Sequence, residues 1–210
     1  MKTEMVKEIL GTEKADMLFR QMYGVLGEEN KSRYEDVVKG FTHKFGEKDV
    51  LLFTSPGRTE ISGNHTDHNH GKVLAGSINL DCVGAAAKND SGEVHIVSAT
   101  YDQDFTIKLT DLKPSAKMAG TIDLTRGILA GFVERGYQIG GFDAYITSNV
   151  ISAAGVSSSA SYEMLICSML NVLYNDGQMD VVDYAHIGKY SENKFWNKQS
   201  GLRWHVQWEV

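Results

Sequence analysis

Apolar residues recur at helical spacing through residues 3 to 47, at positions such as Met5, Ile9, Leu10, Leu18, Met22 and Leu26, with acids and bases on the faces between. This stretch predicts two or three amphipathic helices. Phe41 and Phe45, four residues apart, share a helix face that covers the core, and His43 between them belongs to the surface. The period then changes. Val50, Leu51, Leu52 and Phe53 read as a short buried strand that stops at Ser55 and Pro56. A second strand is predicted from Val73 through Leu80 and on to Ala87, and a turn at 89–92 (NDSG) leads into a strand over 94–99. Another polar turn precedes a short strand over 105–109, so that these strands form an antiparallel run, and 114–120 is an irregular connection. Helical spacing returns over 124–135 in Ile128, Leu129, Phe132 and Val133, with Gly136 where a C-cap belongs. Gly140 and Gly141 open a strand over 142–149. That strand runs through a small-residue loop into a long helix marked by the apolar residues from Met164 to Leu173. There is no internal repeat, low-complexity tract or linker.

Composition narrows the class. With 210 residues, 42% of them hydrophobic, the chain can bury one sizeable core. A net charge of -6 argues against a nucleic-acid partner or an anionic membrane surface, since neither gains counterion release from an acidic protein. Cys82 and Cys167 lie inside apolar runs with no metal-ligand spacing, which predicts buried thiols in a reducing compartment. The N-terminus has no continuous apolar signal region, and no run reaches the eighteen apolar residues of a spanning helix. The expected location is cytoplasmic.

Chemistry concentrates between Pro56 and Leu80, PGRTEISGNHTDHNHGKVLAGSINL, whose first half is too polar to be a packed element and reads as a loop on a rigid support. His65, Asp67, His68 and His70 are candidate metal ligands. In an extended segment, however, 65 and 67 point one way and 68 and 70 the other, which favours a hydrogen-bonding loop. Arg58 follows a Pro-Gly turn that can fix its planar guanidinium toward a phosphate; a salt bridge to Glu60 or Asp67 is the structural alternative.

The second chemical stretch is SNVISAAGVSSSASYEM. A strand, a small-residue loop and a helix start form an anion site, because small side chains let backbone N–H groups approach the charge and the helix dipole faces it. Serines at a helix start are also ordinary N-caps, so a ligand-free cap is the competing reading of Ser157 to Ser159. The loop lacks the Walker lysine and is not GxSxG, which sets aside both a P-loop and a serine-hydrolase elbow.

Together the two stretches resemble the galactokinase branch of the GHMP kinase family. GRTEISGNHTDHN is similar to the galactokinase signature GRxNLIGEHTDYN, and ISAAGVSSSA to the ATP loop PxGxGLSSSA. ENKFWNKQSGL, from Glu192 to Leu202, is similar to the segment leading into the family's catalytic aspartate. The resemblance implies an α+β fold, a mixed and mostly antiparallel sheet with helices on one side, as in the GHMP kinase N-terminal domain (ribosomal protein S5 domain 2-like). It divides the chain into a helical extension (1–30), the kinase domain (31–202) and a non-family tail (203–210). It further implies ATP-dependent phosphorylation of galactose, or a related sugar, at the anomeric hydroxyl. Arg58 would stabilise the transferring phosphoryl group; Asn64, His65, Thr66, Asp67 and Gly201 would bind the sugar. Ala153, Ala154, Gly155, Val156, Ser157, Ser158 and Ser159 would wrap the ATP phosphates, with Ser159 and Glu192 holding Mg²⁺.

The departures are also legible. Asn64 stands where the family has glutamate, so one sugar hydroxyl meets an amide rather than a carboxylate. Ile151 and Ala153 replace the loop's proline and first glycine, and Arg203 and Trp204 stand where the catalytic aspartate would follow Gly201 and Leu202. The tail RWHVQWEV has no family character, and the expectation is a truncated or frame-shifted relative, either impaired as an enzyme or limited to binding sugar and nucleotide.

Overall fold

The computed structural model describes residues 1–62, 74–115, 120–150 and 157–197. Its first three helices are α1 (Thr3–Leu10), α2 (Glu13–Tyr23) and α3 (Gly27–Phe45), with a single 3₁₀ turn between the last two. Thr12 starts α2 by accepting the Ala15 N–H at 3.3 Å on its hydroxyl, and Gly24 leaves the helix at a φ of 61°. The helices are where the period puts them, but their buried stripe is Val6, Leu10, Ala15, Phe19 and Tyr23. Met5, Ile9, Leu18, Met22 and Leu26 are exposed. One residue is a rotation of about 100° on a helix, and the neighbouring apolar row wins because Phe19 and Tyr23 stack on each other and both meet Tyr34 edge to face. Phe41 and Phe45 do share a face, their rings 5.0 Å apart.

Among the described residues five strands form one sheet: β1 (Leu51–Ser62), β2 (Leu74–Lys88), β3 (Glu93–Ser98), β4 (Gln103–Lys108) and β5 (Phe142–Ser148), in the order β1-β2-β5-β3-β4. All neighbours are antiparallel except β3 and β5. The mixed, mostly antiparallel sheet is therefore as expected, but β5 inserts between β2 and β3 and divides the anticipated antiparallel run. The reason lies in β2, where every residue from Val83 to Ala87 is buried and both sides need a neighbour. The first strand also runs past Pro56, where the sequence suggested a stop. A proline without an N–H is tolerated on an edge strand or at a bulge, and β1 is both: its register with β2 shifts between Pro56 and Arg58.

Side chains alternate across β2, and each face has its own helical layer. Cys82 and Ala86 join Phe53, Ile96, Phe142 and Ile146 beneath α4 (Gly120–Glu134), α5 (Ser158–Tyr174) and α6 (Val181–Phe195). Val83, Ala85 and Ala87 pack with Val50 against α1, α2 and α3. Helices thus cover both faces rather than one, because the small residues of β2 present an apolar surface on each side. Among the described residues no helix is long and apolar enough to cross a membrane.

Both cysteines are free and buried, as expected. Burial pushes the Cys82 thiol up to about 12, with Asp81 adding to the effect, and raises Cys167 well above the usual thiol range. Neither thiol should be alkylated by iodoacetamide at pH 8 in the folded protein, and both should be after denaturation. Intact-mass measurement checks this; a native adduct on either cysteine would contradict the packing of β2 against α5.

Candidate functional site

The end of β5 and the start of α5 set up the central feature. Beyond Ser148, the Asn149 N–H donates to the Asp81 carbonyl at 3.0 Å, which holds the strand exit against β2. Ser157 then enters α5 from the left-handed region (φ 61°, ψ 52°), an uncommon conformation for a residue with a side chain. Its carbonyl accepts the first helical bond from Ser161 N–H at 3.0 Å, yet its hydroxyl makes no capping bond. Ser157 therefore occupies the N-cap position without capping by its side chain. The N–H groups of a helix's first turn and its dipole favour an anion at such an end.

A buried carboxylate faces this turn. Glu192 on α6 is 1% exposed, and its Oε1 accepts the Ser159 hydroxyl at 3.0 Å. Its place depends on α4, whose Gly127 and Gly131 let α6 approach closely. Ser191, next to Glu192, donates its hydroxyl to the Leu124 carbonyl at 2.7 Å and fixes the crossing. The sequence pairing of Ser159 with Glu192, 33 residues apart, is thus a direct contact. Both oxygens are hard donors of the kind that Mg²⁺ takes.

Arg58 lies on β1 immediately after the register shift and is 3% exposed. Ahead of it, Ser55 gives its carbonyl to the Ser161 hydroxyl at 2.7 Å, so β1 and α5 are joined near the helix start. A cavity of about 170 Å³ opens beside the same turn, bounded by Ser158, Ser159, Thr121, Tyr101, Gln103 and Trp196 among others. Sequence reasoning did not find this cavity. Its residues come from β4, α4, α5 and the segments beside them, and only the strand order brings those ends together.

Asn64, His65, Thr66, Asp67, His68 and His70 lie outside the described residues, as do Ala153, Ala154, Gly155, Val156, Gly201 and Trp204. Among the described residues no group of three or more His, Cys, Asp or Glu is placed to hold a metal ion.

A five-stranded mixed sheet whose strand β5 precedes a helix start opposed by a buried glutamate is the arrangement of the N-terminal layer of a GHMP-type kinase. The family model for the GHMP kinases N terminal domain matches residues 123–203. Residues 39–88 match the galactokinase galactose-binding signature, and the chain belongs to the galactokinase branch of that family. It is 32% identical to a Clostridium tetani galactokinase over 173 residues, 82% of this chain and 44% of that protein. It is 36% identical to a Pyrococcus furiosus galactokinase over 152 residues, 72% of this chain and 42% of that protein. The crystal structure of Lactococcus lactis galactokinase complexed with galactose superposes with a TM-score of 0.76 at 27% identity, covering 81% of this chain and 45% of that one. A Methanococcus jannaschii mevalonate kinase shares the fold, with a TM-score of 0.58 at 14% identity. The chain thus spans less than half the length of these relatives.

Proposed function

We propose that this chain carries the nucleotide end and one sugar wall of a galactokinase-type phosphotransferase, which moves the ATP γ-phosphoryl group to the anomeric hydroxyl of galactose or a close relative. The observation that carries the reading is the 3.0 Å contact between Ser159, at the start of α5, and the buried Glu192. In this reading residues 153–159 wrap the ATP phosphates, and Ser159 and Glu192 hold Mg²⁺, which when bound neutralises charge between the β- and γ-phosphates. Arg58 contributes a permanent charge against the transferring group. Asn64, His65, Thr66, Asp67 and Gly201 bind the sugar. The anomeric oxygen bonds to the γ-phosphorus as the bond from that phosphorus to the bridging oxygen of ADP breaks, and the hydroxyl proton passes to solvent water, since Trp204 stands where the family's base is expected. The setting is cytoplasmic, in keeping with two free thiols.

A second reading has its own support. Trp204 stands where the family's catalytic aspartate is expected, and a missing general base lowers the rate by about 10²- to 10⁴-fold. A chain that binds sugar and nucleotide without transfer would then result. The two are separated by measuring ADP release with MgATP, with and without galactose. Galactose-dependent release that falls by about 10²-fold or more in Arg58→Ala supports the kinase reading. Stabilisation by both ligands without turnover supports the binding reading, and neither stabilisation nor turnover overturns both.

A further inference from the structure

We infer that Ser161 is a positioning residue that sets Arg58 against the phosphate-binding end of α5. The inference rests on the kinase reading of α5 and Arg58. Ser161 is fully buried and joins two elements through two different groups. Its N–H closes the first turn of α5 on the Ser157 carbonyl at 3.0 Å, and its hydroxyl reaches the Ser55 carbonyl on β1 at 2.7 Å, across 106 residues of sequence. Ser161 stands only two residues beyond Ser159, about 3 Å along the helix axis. Ser55 stands three residues before Arg58, about 10 Å along an extended strand.

Why β1 needs this tie is visible in its pairing. From Pro56↔Asp81 to Arg58↔Ser77, β1 advances two residues while β2 advances four, so the regular ladder is interrupted just ahead of Arg58 and resumes at it. Pro56 offers no N–H to the ladder. Among the described residues β1 is the edge strand, with β2 as its one strand neighbour in the sheet. Ahead of the shift, β1 is anchored at Thr54, whose hydroxyl donates to the Asp81 carboxylate, and at Ser55, whose carbonyl accepts from the Ser161 hydroxyl. Asp81 ties the strand to its own sheet. Ser161 ties it to the helix whose start faces the anion, and so relates the guanidinium to the phosphates.

The test uses the full chain and its affinities for MgATP and MgADP, which do not depend on turnover. Wild type should prefer MgATP, and Arg58→Ala should reduce that preference by about tenfold, the loss of one charge-assisted contact to the terminal phosphate. Ser161→Ala should reduce the preference to the same level while changing MgADP affinity by less than about threefold. In the Arg58→Ala/Ser161→Ala double variant there should be no further loss, because the two residues act through one contact. Ser161→Thr, which keeps the hydroxyl, should restore the preference; if Ser161→Ala does not fold, Ser161→Cys carries the same comparison. A Ser161→Ala protein that keeps the full preference overturns the inference, as do independent losses that add in the double variant. Equal loss of affinity for both nucleotides also overturns it, by assigning Ser161 a structural role alone. A wild type with no Arg58-dependent preference overturns the phosphate role of Arg58, and this inference with it.

Discussion

Replacing Asp81 with alanine should lower folding stability by about 3–5 kcal/mol, the range for removing one partner of a buried, hydrogen-bonded ion pair. Asp81 is 3% exposed on β2, and its carboxylate accepts from Arg33 of α3, Tyr23 of α2 and Thr54 of β1. With its single proton given to Asp81, the Tyr23 hydroxyl accepts from Tyr34 at 2.8 Å, which extends the network within α3. Burial raises the Tyr23 phenol pKa above its usual range, so the tyrosine stays neutral and keeps donating. One carboxylate therefore joins the N-terminal helical layer to two strands, and its loss leaves the nearly buried Arg33 charge without its acid. Asp81→Asn keeps the shape but not the charge and should lie between wild type and alanine. Asp36→Ala, which breaks an exposed 3.1 Å pair with Lys39, should change stability by less than about 1 kcal/mol. Urea unfolding at pH 7 ranks the three; an Asp81→Ala protein no less stable than Asp36→Ala would mean that the network does not hold the layers together.

The strength of each sequence signal explains which parts of the fold were legible. Helices α1 to α5 announce themselves by period, and the strands by short apolar runs between turn residues such as NDSG, all properties of neighbouring residues. The features missed depend on distant ones. β1 crosses Pro56 because it lies at the sheet edge, and β5, distant from β2 in sequence, pairs with both β2 and β3 and separates them. α6 carries a diluted pattern, VVDYAHIGKYSENKF, in which Gly188, Ser191 and Glu192 occupy the buried face that apolar residues would otherwise mark. Its Glu192 was identified only through the likeness of ENKFWNKQSGL to a family segment. The side chains of the cavity beside α5 belong to separate elements and carry no local signature at all. Arg58, Ser159 and Glu192, by contrast, sit in recognisable motifs, and the last two meet in space.

Gly127→Ala should be destabilising by about 1–3 kcal/mol and should weaken the dependence of ATP affinity on Mg²⁺. In most helices the same change gains a few tenths to about 1 kcal/mol from propensity, so the sign itself is informative. A Cβ at position 127 would stand 2.9 Å from both Phe195 Cγ and Ser191 Cα on α6. Ser191 Cα is backbone, and so the helix as a whole must give way. Glu192 is the next residue, and moving α6 draws its carboxylate from the Ser159 hydroxyl. Gly131 is a built-in control: its Cβ would come within 3.1 Å of an Ile187 methyl, a side-chain atom with more freedom to adjust. Gly131→Ala should therefore keep most of the stability and the Mg²⁺ dependence, whereas Gly127→Ala should shift toward the behaviour of Glu192→Ala. Urea unfolding, with ATP titrations in Mg²⁺ and in EDTA, gives both readouts. If Gly127→Ala matched wild type in both, the close approach of α4 to α6 would not be what holds Glu192 at the start of α5.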